Sequence, residues 1–231
     1  VLQPFVAGRT AEAQNIIAVS QDAPANAPVV LVGTHYDTRL RSDREPDAAN
    51  RSTPTPGANR GASGPAVLLE LARTLNTDAT GHRICLIFFD AAENGNINNW
   101  SPLEGSRYFV DRMEAEVPDC AAPRLVVTID AVGASEQLRF EQSSDPQLAA
   151  SLRQTAQSLG YDALFGRQYG PLEAGDHLHF VRAEIPAVHI FDPNYRYRYT
   201  TEDTLDKLRA DYLERIGVTL KTWLERGAQL P

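Results

Sequence analysis

Three places in the 231-residue chain set side chains fit for chemistry directly behind apolar runs. Thr34-His35-Tyr36-Asp37-Thr38 follows Val29-Val30-Leu31-Val32-Gly33, and offers an imidazole and a carboxylate two residues apart. That spacing suits a metal-ligating histidine steadied by a nearby acid. Asp90 and Glu93 follow the run Ile84 to Phe89, and Asp130 follows Leu125 to Ile129. In an open α/β sheet, ligands bind outside the carboxyl ends of the strands, so residues at these positions are the first candidates for a site.

The elements that must carry them are strands at Val29–Gly33, Ile84–Phe89, Leu125–Ile129 and Ala187–Ile190, alternating with helices. The helices are expected at Gly64–Leu75, Ser106–Ala115, Pro146–Leu159 and Leu205–Arg226, the last with a break near Ala210. Short apolar runs alternating with helical segments predict one α/β domain over 1–231, a mostly parallel sheet between helices. Residues 39–59, rich in Arg, Asp, Ser, Thr and Pro with almost no apolar side chains, read as a long surface loop.

Composition narrows the function classes. A net charge of −8 with no basic stripe argues against nucleic acid as a partner. The Tyr195-Arg196-Tyr197-Arg198-Tyr199 run is read instead as a rim to a pocket. No stretch of 18 apolar residues predicts a membrane span. The start at Val1-Leu2-Gln3-Pro4-Phe5, without an initiator Met, is compatible with a removed leader and a secreted or periplasmic location, and assigns neither. Cys85, within an apolar run, reads as a small buried hydrophobe. With Cys120 the only other cysteine, a single bridge stays open and no zinc knuckle is formed. His177 and His179 are an i, i+2 pair, a weak metal signal, and no Gly-x-Ser-x-Gly elbow is present.

Pro56-Gly57-Ala58-Asn59-Arg60-Gly61-Ala62-Ser63-Gly64, leading into an apolar helix, joins the His35 segment in a longer ordered series. Phe88-Phe89-Asp90-Ala91-Ala92-Glu93, Trp100-Ser101-Pro102 and Thr128-Ile129-Asp130 come next. Asp176-His177-Leu178-His179-Phe180, Val188-His189 and Tyr199-Thr200-Thr201-Glu202-Asp203-Thr204 complete the series. From about Val29 to about Leu208 it resembles the M28 family of zinc aminopeptidases and the related glutaminyl cyclases, with the Trp-Ser-Pro and Asp-His pieces pointing to the cyclase branch. The resemblance implies a three-layer α/β/α sandwich of the zinc-exopeptidase, phosphorylase/hydrolase-like kind. It also implies zinc as cofactor and a peptide or small molecule with a free amino end as substrate.

It further implies metal ligands at His35, Glu93 and Asp130, retained catalytic positions at Glu93, Asp130 and Asp176, and pocket residues at Asp176, Trp100 and His189. The chain departs from the family pattern at three positions. Arg60 stands where the family has its bridging aspartate, and a guanidinium cannot ligate zinc. Ala92 stands at the general base, leaving a methyl group where a proton should move. Tyr199 stands at the terminal histidine. Arg60 is therefore expected to replace the cation between Glu93 and Asp130, in a pocket lined also by Tyr199. Two readings follow. In one, zinc-dependent catalysis is lost and the domain binds peptide N-termini or serves as an interaction module. In the other, His35, Glu93 and Asp130 hold a residual zinc for an active aminopeptidase or glutaminyl-peptide cyclotransferase.

Overall fold

A computed structural model describes residues 1–21, 23–24 and 26–230. Its strands and helices, in chain order, are β1 (Leu2–Ala7), β2 (Ala11–Val19), β3 (Val29–His35), α1 (Gly64–Thr74), α2 (Thr77–Thr80), β4 (Arg83–Phe89) and α3 (Glu104–Glu116). They continue with β5 (Leu125–Asp130), β6 (Arg139–Phe140), α4 (Pro146–Ser158), α5 (His177–Arg182), β7 (Ala187–Phe191) and α6 (Ala210–Glu225).

The strands form one sheet in the order β1-β2-β4-β3-β5-β7-β6. The central four, β4-β3-β5-β7, pair in parallel, while β1-β2, β2-β4 and β7-β6 pair antiparallel. This is the α/β sheet the sequence predicts in its four parallel central strands, with antiparallel strands added at both edges. Both faces of the central strands are covered, which explains why they read as continuous apolar runs. Val30 and Val32 point with Ile84 and Leu86 into a core closed by Leu68, Leu71, Ile216 and Trp223 of α1 and α6. Leu31, Ile87 and Phe89 point the other way, against Phe109, Met113 and Phe180 of α3 and α5. Burying each Leu or Phe of these layers contributes about 1.5–3 kcal/mol.

Where local chemistry favours ends, the helices obey it. Asp145 caps α4 by accepting from the Leu148 amide at 2.8 Å, with Pro146 at the first helical position. A 3-10 turn at Leu205–Lys207 precedes α6, which is the break expected near Ala210. Cys85 and Cys120 form a disulfide joining β4 to the turn at Pro118–Cys120, so Cys85 is not the free buried thiol that its apolar setting suggests. The 39–59 segment is tied down by Ser42 N to Thr53 O at 2.7 Å and Thr55 N to Arg39 O at 3.1 Å, with Ser42, Glu45 and Thr55 buried. No helix among the described residues is long and apolar enough to cross a membrane.

Candidate functional site

The carboxyl ends of β3, β4 and β5 meet where the sequence places its candidates. His35 is the last residue of β3 and Asp130 the last of β5, while Glu93 lies four residues beyond β4. His35 Nε2 stands 3.3 Å from Asp130 Oδ1 and 3.6 Å from Glu93 Oε1. One donor atom from each of the three lies within 4.8 Å of the others, and all three residues are buried.

Between the two acids sits Arg60. Its Nη2 is 2.6 Å from Glu93 Oε1, its Nε 3.4 Å from Glu93 Oε2, and its Nη1 2.6 Å from Asp130 Oδ2. The segment that delivers it is a wide π-type turn, Ala58–Ser63, entered through Gly57 at φ 75°. Such turns are uncommon and concentrate at functional sites. Gly64 closes the turn against β3, where a Cβ would lie 2.0 Å from Thr34 Oγ1, so a side chain there would push the segment off the sheet.

Three side chains hold this arrangement from behind. Asp203 accepts from the amides of Asn59 at 2.8 Å and Arg60 at 3.3 Å, and from the Tyr195 hydroxyl at 2.7 Å. Asn59 Oδ1 accepts from the Gly133 amide at 2.8 Å, which ties the turn to the residues after β5. Asp37 accepts from the amides of Ala92 at 3.0 Å and Glu93 at 2.9 Å, and lies 3.3 Å from His35 Nδ1. Ala91 (φ 55°), Ala131 (φ 50°) and Tyr199 (φ 60°) adopt left-handed backbone beside these contacts. Each such residue costs on the order of 1 kcal/mol or more and persists only where surrounding structure over-determines it.

Burial opposes every charge in the cluster, and the charges overcome it together. Asp130, Asp37 and Glu93 hold the His35 pKa well above its usual value against desolvation. Against the same penalty, Arg60 and His35 depress both Glu93 and Asp130 below the ordinary carboxylate range. The floor is thus an imidazolium and a guanidinium shared between carboxylates.

The remaining candidates divide. Tyr199 and Ala92 line a cleft of about 490 Å³ with Glu93, Arg39, Arg44 and Arg198. The Arg60 guanidinium lies behind the Tyr199 ring, 5.6 Å from its centroid. Asp176 is 2 % exposed, its Oδ1 has no hydrogen-bond partner, and burial pushes its pKa up to about 6. His189 is buried with its Nδ1 2.8 Å from Thr128 Oγ1, its ring stacked between His177 and Phe191, and its pKa lowered to about 3 by burial. The Trp100 ring packs on Gly8 and the small cluster of Phe5, Ala7 and Ala13, while its carbonyl accepts from the amide of the cleft-lining Asn96 at 3.0 Å. His177 binds Glu141 at 2.9 Å and Ser143 at 3.0 Å, and burial pushes the pKa of His179 down to about 4.

Sequence reasoning missed Arg39 and Arg44, because a polar segment announces exposure without saying which strand ends it folds over. Arg39 donates to the Glu93 carbonyl at 2.6 Å and lies 4.6 Å from the Tyr199 ring centroid. Asn59 and Asp203 were within quoted motifs, and their adjacency to Arg60 was the available signal.

Known proteins share this framework. Aminopeptidase YwaD of Bacillus subtilis (strain 168) is 28% identical over 218 residues, covering 88% of this chain and 42% of that protein. The chain thus spans less than half the length of that relative. A Zn-dependent exopeptidase from Parabacteroides distasonis superposes with a TM-score of 0.85 at 27% identity, covering 97% of this chain and 83% of the other. The glutaminyl cyclase of Tannerella forsythia gives 0.85 at 26% identity, covering 99% and 84%. The model of peptidase family M28 matches residues 15–224. With that match over most of its length, and with the sheet and strand-end cluster described above, the chain belongs to peptidase family M28.

Proposed function

We propose that this M28 domain binds peptide N-termini and has lost zinc-dependent turnover. The observation that carries the reading is the Arg60 guanidinium, 2.6 Å from both Glu93 and Asp130. A catalytic zinc site takes three protein ligands and keeps one position open for water or substrate. Here the two acids that would serve are already engaged by a group that cannot be deprotonated in proteins and has no lone pair to offer. The residues present therefore do not fit zinc while Arg60 stands between the two acids. The separate proton carrier is also absent, since position 92 is alanine. What remains is a shaped, charged pocket at the ends of β3, β4 and β5, able to orient a ligand and unable to polarise a carbonyl with a metal.

Assays with aminoacyl anilides and N-terminal glutamine peptides, with added zinc or with chelator, test this. The reading expects no chelator-sensitive turnover. Robust turnover abolished by chelator would overturn it. One observation favours a second reading, an active zinc-dependent aminopeptidase or glutaminyl-peptide cyclotransferase. The donor atoms of His35, Glu93 and Asp130 remain within 4.8 Å, so displacing Arg60 would expose a three-ligand set.

A further inference from the structure

From the charge pattern of the cleft, we infer that it selects peptides bearing a carboxylate side chain close to the amino end, with Arg44 as the group that reads that charge. The inference rests on the peptide-binding reading above and names its ligand class.

The carboxylates lining the cleft are already occupied. Asp43 is held by Arg39, with contacts of 2.5 and 3.0 Å, and Glu93 by Arg60. Glu173, next to the lining residue Ala174, is held by Arg198. The acids around the cleft are therefore balanced by guanidinium groups, so the charge left to be read on an incoming peptide is that of a carboxylate side chain.

The cations are not all occupied. Among the charged residues lining the cleft, Arg44 alone makes no ion pair within the described residues. Its acidic neighbour Glu45 is turned inward, accepting from the Thr201 amide and hydroxyl at 2.6 and 2.5 Å. The exposed Arg44 guanidinium instead lies over the Tyr199 ring, 5.1 Å from its centroid, opposite no acid. Arg198, 4.7 Å from the same ring, keeps its Nε buried without an acceptor. Of the four arginines that lie over this phenol, Arg44 is the one left unpaired, and its exposed guanidinium presents the planar fork that binds carboxylates. A guanidinium resting on an aromatic face is also held in place, which lowers the entropy lost when a ligand arrives. The protein as a whole carries −8, so an unpaired cation in a cleft runs against its overall charge.

Calorimetric titration with two C-terminally amidated peptides, Ala-Glu-Ala-Ala-Tyr and Ala-Gln-Ala-Ala-Tyr, tests the inference. The Glu peptide is expected to bind about ten-fold tighter at low ionic strength, with the preference shrinking as salt is raised. Arg44→Gln, at an exposed position whose thermal melt should match the wild type, is expected to remove the preference, so that the Glu and Gln peptides bind with equal affinity. Equal affinity for both peptides, or a preference that survives Arg44→Gln, would overturn the inference while leaving peptide binding intact. Failure of both peptides to bind would overturn it together with the peptide-binding reading. Inorganic phosphate binding through Arg44 in that case would reassign the site to a small free anion.

Discussion

Arg60 Nη1 lies 2.6 Å from Asp130 Oδ2, a buried guanidinium against the acid that ends β5, one of the four central strands. Nearly all the local chemistry follows from this pair. With Nη2 on Glu93, the guanidinium bridges two carboxylates that would otherwise repel each other out of water. The site is thereby kept in shape by a covalently attached cation.

Removing that cation should be expensive. Breaking a buried ion pair from one side leaves an uncompensated charge and costs about 3–5 kcal/mol. Arg60→Ala is expected to lose stability on that scale in urea denaturation, and Arg60→Met to lose a similar amount. The triple variant Arg60→Met, Glu93→Gln, Asp130→Asn should recover much of the loss, because no buried charge is then left alone.

The pH dependence has two limbs with opposite signs. His35 has a folded pKa well above its unfolded value near 6.5, so its contribution is fully present below about 6.5 and fades as pH rises through the folded value. Glu93 and Asp130 have depressed folded pKa values, so their contribution is present above the unfolded range near 4 and is lost as pH falls through the folded values. Thermal melts are expected to show a plateau between those limits. His35→Gln should flatten the alkaline limb and leave the fall at low pH.

Asp176 behaves in the reverse sense to its acidic neighbours. Burial raises its pKa to about 6, so ionisation above the unfolded value of 3.8 works against the fold and the penalty saturates once pH passes 6. Asp176→Asn is expected to stabilise the protein at pH 7 relative to pH 4 by up to about 3 kcal/mol. Equal effects of the substitution at both pH values would show that the carboxyl is not desolvated.

Arg60→Asp, Ala92→Glu and Tyr199→His together would put in the bridging acid, proton carrier and terminal ligand that the family resemblance implies at these positions. Tyr199 sits at φ 60°, a conformation in which histidine is one of the better tolerated non-glycine residues. The triple variant is expected to bind zinc and the single Tyr199→His variant to bind none, as read by zinc-dependent thermal shift.

The four central strands were legible because burial on both faces leaves an unbroken apolar run, and their flanking helices because Pro146, Gly64 and the break before Ala210 mark ends. The outer strands were not. β1 carries Pro4 and exposes Leu2 and Val6, as an edge strand can, so its alternation looks irregular. β6 is two residues long, and α5 has six residues with two histidines, too short for periodicity to register. Within the site, Arg60 stood out against the motif that surrounds it, and His35, Glu93 and Asp130 lie together as strand-end positions should. Trp100 fell in a matching motif yet packs against Gly8, since a motif fixes order along the chain and not the direction of a ring. Arg39 and Arg44 became readable only once the loop had closed over Tyr199.

The central claim is that Arg60 occupies the position of a metal ion. Zinc content after dialysis of the purified protein against excess zinc, measured by elemental analysis once loosely held ion is removed, tests it most directly. The account predicts far less than one equivalent, with no difference between wild type and His35→Ala. One zinc per chain, lost in His35→Ala, would contradict it.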